Sequence, residues 1–296
     1  MRPEIREVSV KEALNRVQGM PFSWSLNPYR GCQHACVYCY ARTTHTYLNL
    51  GAGEDFSRIL FVKTNLADRL RAELGRKTWA REEVAVGSAT DPYQPIEGRF
   101  RVTRACLEAL ADFKTPTSVI TKGTLIQRDL DVLQELDRVA RVTVLFSVPT
   151  INPEIWRKTE PGTPPPEKRL LAMARLRAHG IRAGVMMAPI LFGISDAETE
   201  LRRTAEAARA YGAAFIHAAG VRLDPVVRQG YFAFIDEFYP HLSAPYRLWY
   251  RGGTNPPPHL RRQLEARMKP YVTPRTPPAP SAPGRQLAFR WEEAAL

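Results

Sequence analysis

The 296-residue chain has no run approaching the ~20 consecutive apolar residues that a membrane-spanning helix needs, so the helical membrane class is set aside. Its N-terminal stretch, MRPEIREVSVKEAL, also lacks the apolar segment of a secretory signal. Cysteine is scarce, with four in the whole chain. Three of the four fall in one loop, and such clustered, unpaired thiols suit a reducing compartment; a cytoplasmic protein is expected. Acidic residues are outnumbered, 30 against 42 lysines and arginines, giving a net charge of +12. A basic surface attracts polyanions, of which nucleic acid is the usual one. The arginines are scattered, however, and charge alone supports only sequence-independent attraction to phosphates. With 44% hydrophobic residues, the chain has enough apolar material for the core of a soluble enzyme.

What is present concentrates in Asn27–Tyr47, NPYRGCQHACVYCYARTTHTY, where Cys32, Cys36 and Cys39 form a C-x3-C-x2-C run. One loop can turn three sulfurs toward a common centre, whereas a disulfide would use two and strand the third. Two metal readings follow. Zinc takes four ligands, and His34, His45 or Cys106 would have to complete its set. An iron–sulfur cubane takes thiolates and, with three of them, keeps one iron open for a small-molecule ligand.

The pattern along the chain is a strand–helix alternation. Residues 1–25 read as an N-terminal extension with a short helix near Val10–Val17. Helices are expected at Asn65–Leu74, Thr103–Phe113 and Arg128–Arg138, from Pro166 to the C′ glycine Gly180, and from a Ser195/Glu198 capping box to Gly212. Strands are expected at Glu83–Ser88, Thr117–Thr121, Val142–Val148, Ile181–Ala188 and Ala213–Ala219. With a strand before Cys32 this makes about six units, an α/β fold with a parallel sheet covered by helices. Six falls short of the eight of a closed barrel, and a doubly wound sheet is the other reading. Residues 26–251 form the main domain. From 252 to 296 a proline-rich tail follows, with a short helix near His259–Met268, the linker TPRTPPAPSAPG and a terminal apolar group, Leu287, Phe289 and Trp291.

Ligands of parallel α/β folds sit at the C-terminal strand ends. Those ends offer Gly87 and Ser88, small enough to admit an amine and carboxylate or simply to make a tight turn. They also offer Lys122, whose ammonium contacts a ligand or reaches solvent, and the hydroxyl of Ser147. Met187 and Pro189 are apolar enough to pack an adenine face or the core. Cys106 falls on the buried face of a helix, where a thiol acts as a small hydrophobe.

Taken together, GCQHACVYCYARTTH, FVKTN, GSATDPYQPIE, TRACLEAL, ITKGTLIQRDLDVL, EPGTPPPEKRL and MMAPI resemble the radical S-adenosylmethionine (SAM) superfamily, in a subgroup similar to spore photoproduct lyase. The resemblance runs from about Asn27 to Ala219. It implies a partial (β/α)6 barrel and a [4Fe–4S] cluster ligated by Cys32, Cys36 and Cys39. It further implies an open iron that chelates the amine and carboxylate of SAM, and a low-potential electron donor as partner. Tyr38 would pack near the adenine, Lys122 and Ser147 would contact SAM with Gly87 and Ser88 nearby, and Tyr40 would lie by the radical site. The implied chemistry is reductive cleavage of SAM and hydrogen abstraction from a substrate, with DNA the leading expectation. RNA, a peptide, a small metabolite, or a metal-binding module without turnover are the alternatives. One departure stands out: the lyase places a hydrogen-donating cysteine beside its second-strand turn, where this chain has Ser88-Ala89-Thr90-Asp91. In the tail, Gln286-Leu287-Ala288-Phe289 resembles the short peptides that dock on the bacterial sliding clamp, though back-docking on the barrel is the preferred expectation.

Overall fold

Alternating apolar strands and amphipathic helices build two sheets in the computed structural model, whose described residues are 3–273. The strands are β1 (Glu4–Val8), β2 (Leu14–Arg16), β3 (Trp24–Leu26), β4 (Tyr29–Arg30), β5 (Ile59–Lys63), β6 (Val84–Val86), β7 (Thr117–Thr121), β8 (Val142–Ser147), β9 (Arg182–Ile190) and β10 (Ile216–Gly220). The larger sheet runs β10-β9-β8-β7-β6-β3-β2. Its strands from β3 through β10 are all parallel, and β2 joins antiparallel at the edge. Six parallel strands with helical crossovers make an open, partial barrel, as expected from six units. A smaller sheet, β1-β5-β4, carries the chain into the cysteine loop, since β4 ends two residues before Cys32.

Strand parity decides which side chains enter the core. Val142, Val144 and Phe146 of β8, with Val185 and Met187 of β9, are fully buried on one face. Ser147 pairs in register with Met186, so these two share the opposite face. Met187 is therefore core rather than an adenine contact, and Met186 takes the position beside Ser147.

Several expectations are corrected at the ends of the chain. The helix expected near Val10–Val17 is absent; the segment instead holds β2, whose Leu14 is buried against the core. The segment is extended rather than helical because it pairs antiparallel with β3. Ser195 does not cap the following helix. Its hydroxyl accepts the Leu191 amide at 2.9 Å, closing a turn, and the helix Glu198–Ala210 starts without a side-chain cap. Two further helices, Pro225–Phe238 and Ser243–Trp249, lie where no element was expected. They are held by a buried tyrosine layer: Tyr246 donates to the Phe192 carbonyl at 2.9 Å and Tyr250 to that of Val221 at 2.7 Å. The helix Pro258–Met268 packs Leu260, Leu264 and Met268 into the main core, so the chain is still part of the globule well past residue 252. The terminal apolar group and the Gln286–Phe289 motif lie outside the described residues.

Candidate active site

Cysteines 32, 36 and 39 lie on a loop that turns tightly on itself. The Ala35 amide donates to the Cys32 carbonyl and the Cys39 amide to that of Cys36, both at 3.3 Å. Ala35 sits in the left-handed region at φ 53°. The Arg42 guanidinium fixes the turn from inside, donating to the carbonyls of Ala35 at 2.9 Å and Cys36 at 3.0 Å, and to those of Ala52 and Gly53. It spends its charge on backbone acceptors and so holds the loop without competing for a thiolate.

Two other loops brace this one. After β6, Gln94 accepts the Gln33 amide at 2.9 Å and donates to the Gly31 carbonyl at 3.0 Å, while Gln33 accepts the Ile96 amide at 2.8 Å. From the same loop Asp91 stands 3.2 Å from His34 and accepts the Thr121 hydroxyl at 2.7 Å and the Lys122 amide at 2.5 Å. Burial opposes charge on Asp91. Neighbouring His34 and these hydrogen bonds outweigh it and hold the carboxyl down at about 2. The second brace follows β8, where the Val37 amide donates to the Thr159 carbonyl at 3.0 Å and the Gly162 amide to that of His34 at 3.1 Å.

Each sequence-predicted residue has a place around this frame. Lys122 and Ser147 end adjacent strands, and the ammonium donates to the Ser147 hydroxyl, which in turn donates to the Ala188 carbonyl at 2.8 Å. Tyr38 is buried, with the Lys122 ammonium 5.9 Å from its ring centre and its hydroxyl donating to Glu160. Tyr40 is more than half exposed, and its hydroxyl donates to the Ser88 carbonyl. The Ser88 hydroxyl accepts from the Asn27 amide at 3.4 Å. Gly87 answers a backbone demand rather than a ligand: its φ is +84°, and a Cβ would meet Pro92 at 2.4 Å and the Ile120 carbonyl at 2.5 Å. The structure thus brings together the cysteine loop, Tyr38, Lys122 and Ser147, with Tyr40 and Ser88 at one rim. Sequence reading missed Glu160, Arg169, Asp91 and Arg42. The first two stand in the EPGTPPPEKRL stretch, where a lone acid in a proline-rich loop was the available signal.

The three thiols are close enough to feel one another's charge. Burial raises Cys36 to about 12, with Glu160 adding to it against Lys122 and Arg169; burial also raises Cys32, with Asp91, and Cys39. Thiols held this way ionise when a cation takes the sulfurs. Three soft sulfur donors on one loop, with Lys122, Arg42 and Arg169 near enough to favour their thiolate forms, fit an iron–sulfur group. Zinc fits less well, because its candidate fourth ligands are committed elsewhere. His34 faces Asp91, His45 lies 2.9 Å from the Ile59 carbonyl between Phe56 and Phe61, and Cys106 is wholly buried on the helix Val102–Asp112. Among the described residues no three His, Cys, Asp or Glu side chains converge on a single-ion site.

Known proteins bear on this arrangement. Residues 26–205 match the family model described as the radical SAM superfamily. An uncharacterized protein of Mycobacterium tuberculosis is 40% identical over 269 residues, covering 90% of this chain and 79% of its own. The Radical SAM Nalpha-GlyT isomerase of Pseudomonas phage M6 is 25% identical over 170 residues, 56% of this chain and 33% of its own. In fold, the chain is similar to spore photoproduct lyase solved with bound AdoMet and dinucleoside spore photoproduct. That likeness has a TM-score of 0.66 at 16% identity, over 90% of this chain and 77% of the other.

Proposed function

This chain belongs to the radical SAM superfamily and is a radical SAM enzyme, and we propose that its substrate is DNA. In this reading Cys32, Cys36 and Cys39 hold a [4Fe–4S] cluster. When bound, that group supplies the electron that splits the carbon–sulfur bond of SAM, generating the carbon radical that abstracts hydrogen from the substrate. The chain's own part is placement. Lys122 and Ser147 set polar heads beside the cysteine loop to orient the methionine or ribose part of SAM, and Tyr38 walls the same space with an aromatic face. Gly87 gives the turn that lets Ser88 and Asn27 approach. Tyr40 presents a half-exposed phenol at the rim, where a hydrogen atom could pass to or from substrate.

The observation that carries the reading is a single loop of three soft thiols set beside Lys122 and Ser147 at the C-terminal ends of a parallel barrel. DNA is supported by the basic balance of the chain and by the nucleoside named in the spore photoproduct lyase structure. The enzyme is not proposed to be a photoproduct lyase itself. The β6 turn carries no cysteine, and Cys106, wholly buried, is not placed to donate hydrogen at the mouth. A low-potential one-electron donor is the partner this chemistry requires, in a cytoplasmic setting.

Anaerobic reconstitution tests the proposal. The expected result is about four irons and four sulfides per chain, and release of 5′-deoxyadenosine after reduction. Stoichiometric zinc in the isolated protein with no deoxyadenosine would overturn it in favour of a binding module.

A further inference from the structure

Glu160 belongs to none of the strand ends, yet Tyr38, Lys122 and Arg169 all converge on its carboxylate. It sits in the loop after the helix Pro153–Thr159 and is 2% exposed. One carboxylate oxygen accepts the Tyr38 hydroxyl and lies 3.2 Å from the Lys122 ammonium; the other is 2.6 Å from Arg169. Arg169, fully buried on the helix Pro166–Ala178, donates also to the carbonyls of Ser147 at 2.9 Å and Pro164 at 2.8 Å and to the Thr163 hydroxyl. Five segments therefore meet at one ion pair: the cysteine loop through Tyr38, the end of β7 through Lys122, β8 through Ser147, the Glu160 loop, and the helix that carries Arg169.

Stability does not account for this arrangement. A buried ion pair seldom stabilises a fold more than apolar residues of the same volume, because taking two charges out of water offsets their attraction. The sheet face turned away from Ser147 packs without the pair's help, on apolar residues: Val119, Val144, Phe146, Val185 and Met187 are all fully buried. What an apolar pair would not do is hold an ammonium and a phenol at fixed points. Lys122 is a flexible cation, and without a carboxylate beside it four rotatable bonds would let its head leave Ser147.

We infer that Glu160, supported by Arg169, is a positioning residue that fixes the Lys122 ammonium and the Tyr38 ring against the cysteine loop for SAM binding. The inference rests on the proposed function, since it assigns SAM as the ligand that the fixed Lys122 and Tyr38 receive. In this assignment Glu160 acts through those two side chains, which it holds by the Tyr38 hydroxyl and the Lys122 ammonium.

The test uses the reconstituted full chain with SAM as the probe. It compares wild type, Glu160→Gln, and the double variant Glu160→Leu with Arg169→Met, and reads iron content, SAM dissociation constant and Tm. Glu160→Gln keeps shape and loses charge. It is expected to retain wild-type iron but bind SAM at least about tenfold more weakly, the scale of a lost charge-assisted contact. The double variant removes both buried charges, so its Tm should lie near wild type while SAM binding stays weak. A purely structural role predicts the opposite, recovery of SAM affinity together with Tm, and that result would overturn the inference. Wild-type SAM affinity in Glu160→Gln would overturn it too, even if the double variant fails to fold. A wild-type chain that takes up no iron overturns the function reading and this inference with it.

Discussion

Gly162 lies so close to Gln33 that a Cβ on the glycine would stand 2.1 Å from the Gln33 carbonyl oxygen. The contact joins the loop after β8 to the residue following Cys32, and the Gly162 amide donates to the next carbonyl along, that of His34. Backbone is packed against backbone here, so neither side can yield by rotating a side chain.

Gly162→Ala should therefore push the cysteine loop out of place. The expected result is a Tm lowered by several degrees, with a cost on the order of 2 kcal/mol, and iron content well below wild type after reconstitution. Gly180→Ala is a contrasting control, since its added Cβ meets nothing within 4 Å and its strain comes only from φ +87°. It should lower Tm while leaving iron content unchanged.

The cysteines divide into two kinds. Cys32→Ala, Cys36→Ala and Cys39→Ala are each expected to abolish iron uptake, read as iron per chain and the visible absorption of the reconstituted protein. Cys106→Ala should keep full iron and lose on the order of 1 kcal/mol of stability from the small cavity it leaves in the core. Loss of iron in Cys106→Ala would contradict its placement on the packed face of its helix.

Acid should unfold the metal-free chain through two carboxylates. Burial works against charge on Glu160, but Arg169 and Lys122 hold it at about 2 from an ordinary 4.5, and Asp91 is likewise near 2 from 3.8. As pH falls below about 4.5 the unfolded chain takes up protons that the folded chain refuses. The stabilisation is thus present above that pH and is lost progressively down to about pH 2. Thermal melts from pH 6 to pH 3 should show this decline, and Asp91→Asn should make it shallower.

If DNA is the substrate, duplex binding should weaken steeply with salt, because each neutralised phosphate releases counterions. Titration at rising salt should give a straight falling line of log affinity against log salt concentration. Binding that is absent at low salt, or indifferent to it, would move the reading to a small substrate.

Tyr40 is expected to serve turnover rather than assembly. Its ring is more than half exposed, so Tyr40→Phe should change stability by less than about 1 kcal/mol and leave iron content intact. Deoxyadenosine release should persist while substrate conversion falls, which product analysis would register as uncoupled SAM cleavage.

Cys32, Cys36 and Cys39 stand out in the sequence because their clustering is local: one short loop carries three thiols at close spacing. The strands β7 and β8 were legible too, since Thr117–Thr121 and Val142–Ser147 are short β-rich runs bounded by turns. Resemblance pointed to Lys122 and Ser147, but only the register of the sheet brings their heads into contact. Met186 and Met187 show the limit of reading a strand end: both are apolar, and a single step of pleat decides which is core and which lies beside Ser147. β2 was misread because three residues carry too little periodicity, and pairing with β3 overrides their local preference. Glu160 and Arg169 were invisible for another reason. An acid and an arginine nine residues apart signal nothing until the fold buries both, and burial is what makes each require the other. The sequence by itself determined the clustering of three thiols and the strand–helix order; the tertiary structure alone decided which charged side chains meet behind that loop, because removal from water is a property of the packed chain and not of any segment.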